Sequence, residues 1–150
     1  MTTRTMRDGS TSTAWGSGLI LALCVLLMLS GIWLFFAVGT AAVFEGDTGV
    51  SLREVEAAYP TVAAVMERRG QHIAILLVAL GAFAFIVAWA GLRTGSPWAW
   101  YANWVLVLAV SVIAVSGLTM ARWDIGLAYL FYAMLGVGGQ LLSTRGLRST

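Results

Sequence analysis

The sequence predicts an all-α, polytopic membrane four-helix bundle with an amphipathic extramembrane segment between its first and second spans. Three observations carry the prediction. Of 150 residues, 59% are hydrophobic and only 11% charged, where soluble domains carry roughly 25% charged residues. The nine basic and seven acidic side chains fall in short patches, leaving 9–44, 70–92, 94–121 and 125–144 free of Asp, Glu, Arg and Lys. Each interval holds the ~20 residues needed to cross a ~30 Å hydrocarbon core. The apolar runs also lack the strict alternation of barrel strands, and in lipid a helix satisfies every backbone group internally.

Trimming the intervals by glycine, proline and aromatic signals predicts spans over 17–41, 71–91, 97–119 and 125–143, with 51–69 outside the membrane and 1–150 forming one domain. The start of the first span has features of a secretory leader, because Arg4 and Arg7 precede an apolar run and Thr40, Ala41 and Ala42 are small enough for cleavage. A leader's apolar region is roughly 7–15 residues, and the run from Leu19 to Val38 is longer, so a retained span is expected. Cys24 is the single cysteine and lies inside this span, which excludes an intrachain disulfide and a thiolate metal cluster.

Between spans one and two, Ser51-Leu52-Arg53-Glu54 has the capping-box pattern that opens a helix. Leu52, Val55, Tyr59, Val62 and Met66 then recur at helical spacing as one apolar stripe, with Arg53, Glu54, Glu56, Glu67 and Arg68 off it. Burial of that stripe against the bundle or the membrane is expected. Pro60 removes one N–H and pushes Tyr59 out of the helical region. A short helix 52–58 should therefore end there, and a second should begin near Pro60 and run on into span two.

The turn between spans two and three reads Arg93-Thr94-Gly95-Ser96-Pro97-Trp98-Ala99-Trp100-Tyr101. Ser96 is placed to cap a helix with Pro97 in its first position, and Gly95 to close the preceding one. Trp98, Trp100, Tyr101 and Trp104 form an expected interfacial aromatic belt. On Arg93, Gly95, Trp98, Ala99 and Trp100, an R-x-G-x-x-W-A-W pattern, the chain resembles a group of uncharacterised small prokaryotic four-helix integral membrane proteins. That resemblance implies the four-span layout and no activity.

In span four, Tyr129, Tyr132, Gly136 and Gln140 share one helical face, which should turn inward. Gln140 then needs a partner, with Ser111, Ser116 or Thr119 of span three as candidates. Tyr129, Tyr132 and Gln140 are accordingly either ligand-lining or packing residues. Ala37 with Ala41, Ala84 with Ala88, Gly117 with Ala121, and the glycines 136, 138 and 139 offer the small surfaces that let membrane helices approach.

Several chemistries lack their residues. Small multidrug exporters resemble this chain in size and helix count, but they depend on a membrane-embedded carboxylate, and no span here has one in its interior. Glu67-Arg68-Arg69-Gly70-Gln71-His72 is similar to the R-x-x-R-x-H-x-N-x-x-E element of membrane glutathione transferases, yet Ile73 to Leu77 supply neither its Asn nor its Glu. His72 is expected to be structural or interfacial, since Glu67 lies off its helical face. Glu45 and Asp47 fit no calcium-loop spacing.

The sequence thus points to an accessory or self-associating membrane component acting through helix packing and its outer segment. The alternatives are a binder or conduit for lipid or another apolar small molecule, and a membrane enzyme of unknown reaction. No catalytic, cofactor-binding or metal-ligating residue is assigned. The expected partners are the lipid bilayer and either further copies of the chain or a larger membrane complex, with no role for nucleic acid. A prokaryotic plasma membrane is the expected location. Arg4, Arg7, Arg93, Arg145 and Arg148 against Arg53, Arg68, Arg69 and Arg122 favour both termini inside.

Overall fold

The computed structural model describes residues 3–38, 45, 48–92, 94, 96–120 and 122–147. Thr40, Ala41, Ala42, Asp47, Arg93, Gly95, Ala121 and Arg148, all invoked above, lie outside that set. The described chain is all-helical: α1 (Thr3–Ala37), α2 (Leu52–Ala58), α3 (Pro60–Val87) continued by a π-helical turn (Ala88–Leu92), α4 (Pro97–Thr119) and α5 (Trp123–Leu147). Four stretches are long and apolar enough to cross a membrane: Thr11–Ala37, Pro60–Leu92, Pro97–Thr119 and Trp123–Thr144. α1 begins well before the expected span limit of 17, whereas α3 begins at Pro60 and runs into the second span as expected. Hydrocarbon thickness sets how much of a helix must be apolar, whereas helix length is set by where a breaker occurs, and none intervenes after Thr3 or Pro60.

The helices contribute to two compact units, residues 1–26 with 81–150, and residues 27–80. In the first, α4 and α5 form an antiparallel hairpin closed by a three-residue turn, where the Arg122 amide donates to the Gly117 carbonyl at 2.9 Å. A methyl group on Gly117 would stand 2.8 Å from the Gly126 nitrogen, one on Gly136 would stand 2.7 Å from Val107 Cγ2, and one on Gly139 would stand 2.9 Å from the Gly16 carbonyl. The expected small-residue approaches thus occur at Gly136 and Gly139, while Gly138 faces open space. Ile20, Leu23, Val110, Val107 and Leu106 fill the unit's core. The π-helical turn was not anticipated. The Ser96 amide reaches back to the Gly91 carbonyl at 2.9 Å, and Gly91 lies against Ala99 and Trp98. Ser96 does occupy the cap position with Pro97 behind it, but its hydroxyl makes no capping bond.

In the second unit, Gly31 of α1 lets α3 approach until an added methyl would lie 2.8 Å from the Ala74 carbonyl. α2 has both halves of the expected capping box, Glu54 N–H to Ser51 Oγ and Ser51 N–H to Glu54 Oε2, each at 3.3 Å. It ends at Tyr59, whose backbone leaves the helical region (φ −144°, ψ 71°) before Pro60 starts α3. Of the two surfaces expected to bury the apolar stripe, the bundle does not cover it. Tyr59 is 67% exposed, Val62 46% and Met66 44%, while Ala63, Ala74 and Leu77 turn inward. Close helix approach selects the line of small residues, and the bulky ones are left facing out.

Candidate functional site

Four polar side chains enter the described core. Ser17, Asn103, Gln140 and Ser143 are each at most 4% exposed, and all belong to the unit of residues 1–26 and 81–150. The antiparallel hairpin sets Gln140, near the end of α5, beside Trp100, near the start of α4. The Gln140 side-chain Nε2 donates to the Trp100 carbonyl and the Trp100 indole Nε1 donates to the Gln140 carbonyl, both at 3.2 Å. One helical turn further in, Asn103 Nδ2 donates to the Ala99 carbonyl at 2.9 Å. The two hydroxyls return their protons to their own helices, Ser143 to Gly139 at 2.8 Å and Ser17 to Ala14 at 3.0 Å, a common resting state for serine in a helix.

Two acceptors remain. Asn103 Oδ1 and Gln140 Oε1 are buried without a hydrogen-bond partner. Exchanging oxygen and nitrogen in either amide does not help, because it would set two carbonyl oxygens against each other at Ala99 or Trp100. A buried acceptor left unbonded costs about 1–3 kcal/mol. Amide oxygens accept hydrogen bonds and do not titrate at ordinary pH, so this cluster is suited to recognising donors and not to moving protons.

The residues singled out from sequence fall into separate places. Gln140 meets Trp100 and not Ser111, Ser116 or Thr119. Ser111 bonds the Val107 carbonyl at 2.8 Å, and Thr119 bonds the Ser116 carbonyl at 2.9 Å. The hairpin register explains this, since those three lie toward the α4–α5 turn and Gln140 lies at the opposite end of the pair. Tyr129 and Tyr132 pack edge to face at 5.4 Å. They share a face of α5 with Gln140 and sit eight and eleven residues before it, about 12 Å and 16 Å at the helical rise. In the aromatic belt, Trp98 is 57% and Tyr101 67% exposed. Trp100 turns to α5 and packs edge to face on Tyr101 (5.0 Å) and Trp104 (5.8 Å). Asn103 was missed from sequence as a site residue. Its signal was a carboxamide one turn inside the belt in an otherwise apolar run.

The second unit carries an apolar groove of about 300 Å³ lined by Ile32, Phe36, Ala74, Ile75 and Val78. Cys24 is fully buried, and His72 is exposed. Among the described residues no three His, Cys, Asp or Glu side chains come together as a metal site would require. Compared with known proteins, the chain matches no family model, no curated protein and no solved structure.

Replacing Gln140 by leucine should change thermal stability by less than about 1 kcal/mol. The lost interhelical bond is worth about 0.6 kcal/mol on average, and leucine leaves no buried amide oxygen in need of a donor. A melting curve in mild detergent checks this, and a loss of several kcal/mol would show that the Gln140 side chain holds the helix pair by more than its one bond to Trp100.

Proposed function

We propose that the chain is a small multi-pass component of a prokaryotic plasma membrane that works by contact, associating with copies of itself or with a larger membrane complex. The observation that carries this reading is the uncovered surface at the outer end of α3. The helix from Pro60 to Leu92 has 33 residues, about 50 Å at 1.5 Å per residue, well beyond a ~30 Å hydrocarbon core. Its charge-free part is 70–92, so Glu67, Arg68 and Arg69 mark the membrane boundary, with Tyr59, Val62, Val65 and Met66 beyond it. Those four side chains are 44–67% exposed, and lipid does not cover apolar surface above the headgroups. Clustered exposed apolar residues in such a position serve as contact surface.

The reading predicts that Val62→Asp shifts stability by no more than about 0.5 kcal/mol, as surface changes do, while lowering the mass of the native assembly in mild detergent toward that of one chain. Glu56→Ala, off the stripe, should leave the mass unchanged. A wild-type protein that is monomeric and partner-free in native membranes overturns the proposal. A second reading, retention of a lipid acyl chain or similar apolar molecule, is favoured by the groove beside Ile32 and Ile75, whose lining is wholly apolar. Mass spectrometry of stoichiometric co-purified lipid, lost on Ala74→Phe, tests it.

Orientation belongs to the same proposal. With both termini cytoplasmic and residues 45–69 outside, single cysteines in a Cys24→Ala background should react with an impermeant reagent on intact cells at position 48 and not at 10 or 149. Labelling at either terminus reverses the assignment.

A further inference from the structure

We infer that Asn103 and Gln140 form a binding site for a small, neutral hydrogen-bond donor, of which water is the simplest, held between α4 and α5 one turn inside the aromatic belt. Three features of the pair lead there. Both residues are essentially inaccessible, 1% and 0% exposed, and both keep an amide oxygen with no partner. The nitrogens fix the amides in place: Nδ2 of Asn103 is bound to Ala99 and Nε2 of Gln140 to Trp100, carbonyls of adjacent residues on one turn of α4. Both amides are therefore anchored on one turn of α4. The buried hydroxyls of Ser143 and Ser17 commit their protons to Gly139 and Ala14, so neither supplies the missing donor.

The chemistry of the guest follows from what surrounds the oxygens. Two amide acceptors call for a molecule with two donating hydrogens, or for two donors on one small group. A cation is disfavoured, because no carboxylate lies in the interior of any span to balance it, and an uncompensated charge in a membrane interior is expensive. A water molecule bridging buried acceptors is the usual solution in polar, enclosed positions. A hydroxyl or amide group of a small membrane-soluble molecule presents the same donors. The π-helical turn at Ala88–Leu92 packs through Gly91 against Ala99, the residue whose carbonyl anchors Asn103. Local π geometry of this kind often accompanies a functional position, and here it borders the site.

Water-edited solid-state NMR on the full chain in lipid bilayers, with ¹³C in the Asn and Gln side chains, reads the site directly. Early polarisation transfer from water to Asn103 Cγ and Gln140 Cδ is expected, well ahead of the dry-core reference Leu27. In Asn103→Leu the transfer to Gln140 should fall to the Leu27 level while the Trp100 indole N–H keeps its hydrogen-bonded shift, which reports an intact helix pair. If that variant does not fold, the wild-type transfer rates alone decide. Transfer from an organic hydroxyl or amide, accompanied by a stoichiometric co-purifying molecule in mass spectrometry, identifies the guest as that molecule and still supports the site. The inference is overturned if both carbonyl carbons show no contact with water or any other guest, or if their oxygens are bonded to N–H groups of the protein itself.

Discussion

Alanine at Gly16 or at Gly139 is expected to lower the melting temperature by several degrees, whereas alanine at Gly18 or Gly138 should leave it unchanged or raise it. All four positions are helical, so intrinsic propensity favours alanine at each by up to about 1 kcal/mol. The difference lies in what a methyl group would meet. At Gly16 it would stand 2.6 Å from the Gly139 carbonyl oxygen and 2.7 Å from the Ser143 nitrogen, and at Gly139 2.9 Å from the Gly16 carbonyl. These are backbone atoms on a facing helix, which cannot move aside as a flexible side chain would. Forcing volume into such a contact costs about 1–3 kcal/mol, occasionally more, and each kcal/mol corresponds to roughly 2–4 °C for a chain of this size. Gly18 and Gly138 have no atom within 4 Å of that methyl. Thermal unfolding of the four variants in one detergent decides the matter, and equal losses at Gly16 and Gly18 would mean that α1 does not pack on α5 there.

Trp100→Ala should cost about 3–5 kcal/mol, the range for truncating a packed large aromatic residue, while Trp98→Ala, two residues earlier, should cost less than about 1. Trp98 is 57% exposed. Trp100 faces α5, packs on Tyr101 and Trp104, and donates its indole proton to the Gln140 carbonyl. Trp100→Phe isolates that last bond by keeping most of the ring, and should lose about 1 kcal/mol. Intermediate behaviour of Trp100→Phe between wild type and Trp100→Ala confirms that the indole acts by both packing and hydrogen bonding. Indistinguishable melting curves for Trp98→Ala and Trp100→Ala would place both rings in the lipid interface.

The helices and their starts, that of α1 excepted, were readable from residues alone because each depends on neighbours in sequence. The charge-free intervals, Pro60, the Ser51–Glu54 box and Pro97 all act within a turn or two of themselves. The side-chain partners were not readable in the same way. Gln140 meets Trp100 because of the α4–α5 register, which glycine contacts at 117, 126 and 136 establish across the pair. The stripe Leu52-Val55-Tyr59-Val62-Met66 has a regular period, but period alone does not say which face wins, and the line through Ala63 and Ala74 packs closer. The π-helical turn left no mark of its own in the local sequence.

The three-residue turn between α4 and α5 also bears on the order of assembly. Closing so short a loop costs little chain entropy, and pairings between sequence neighbours form faster than those that join distant segments. The α4–α5 hairpin is therefore the pairing open to the nascent chain at lowest kinetic cost. Gly16 and Ser143 stand well over a hundred residues apart, so α1 leaves the ribosome first yet cannot find its seat until α5 has been made. A lesion at that seat, such as Gly16→Ala, should accordingly speed dissociation of α1 and leave the rate of hairpin formation untouched.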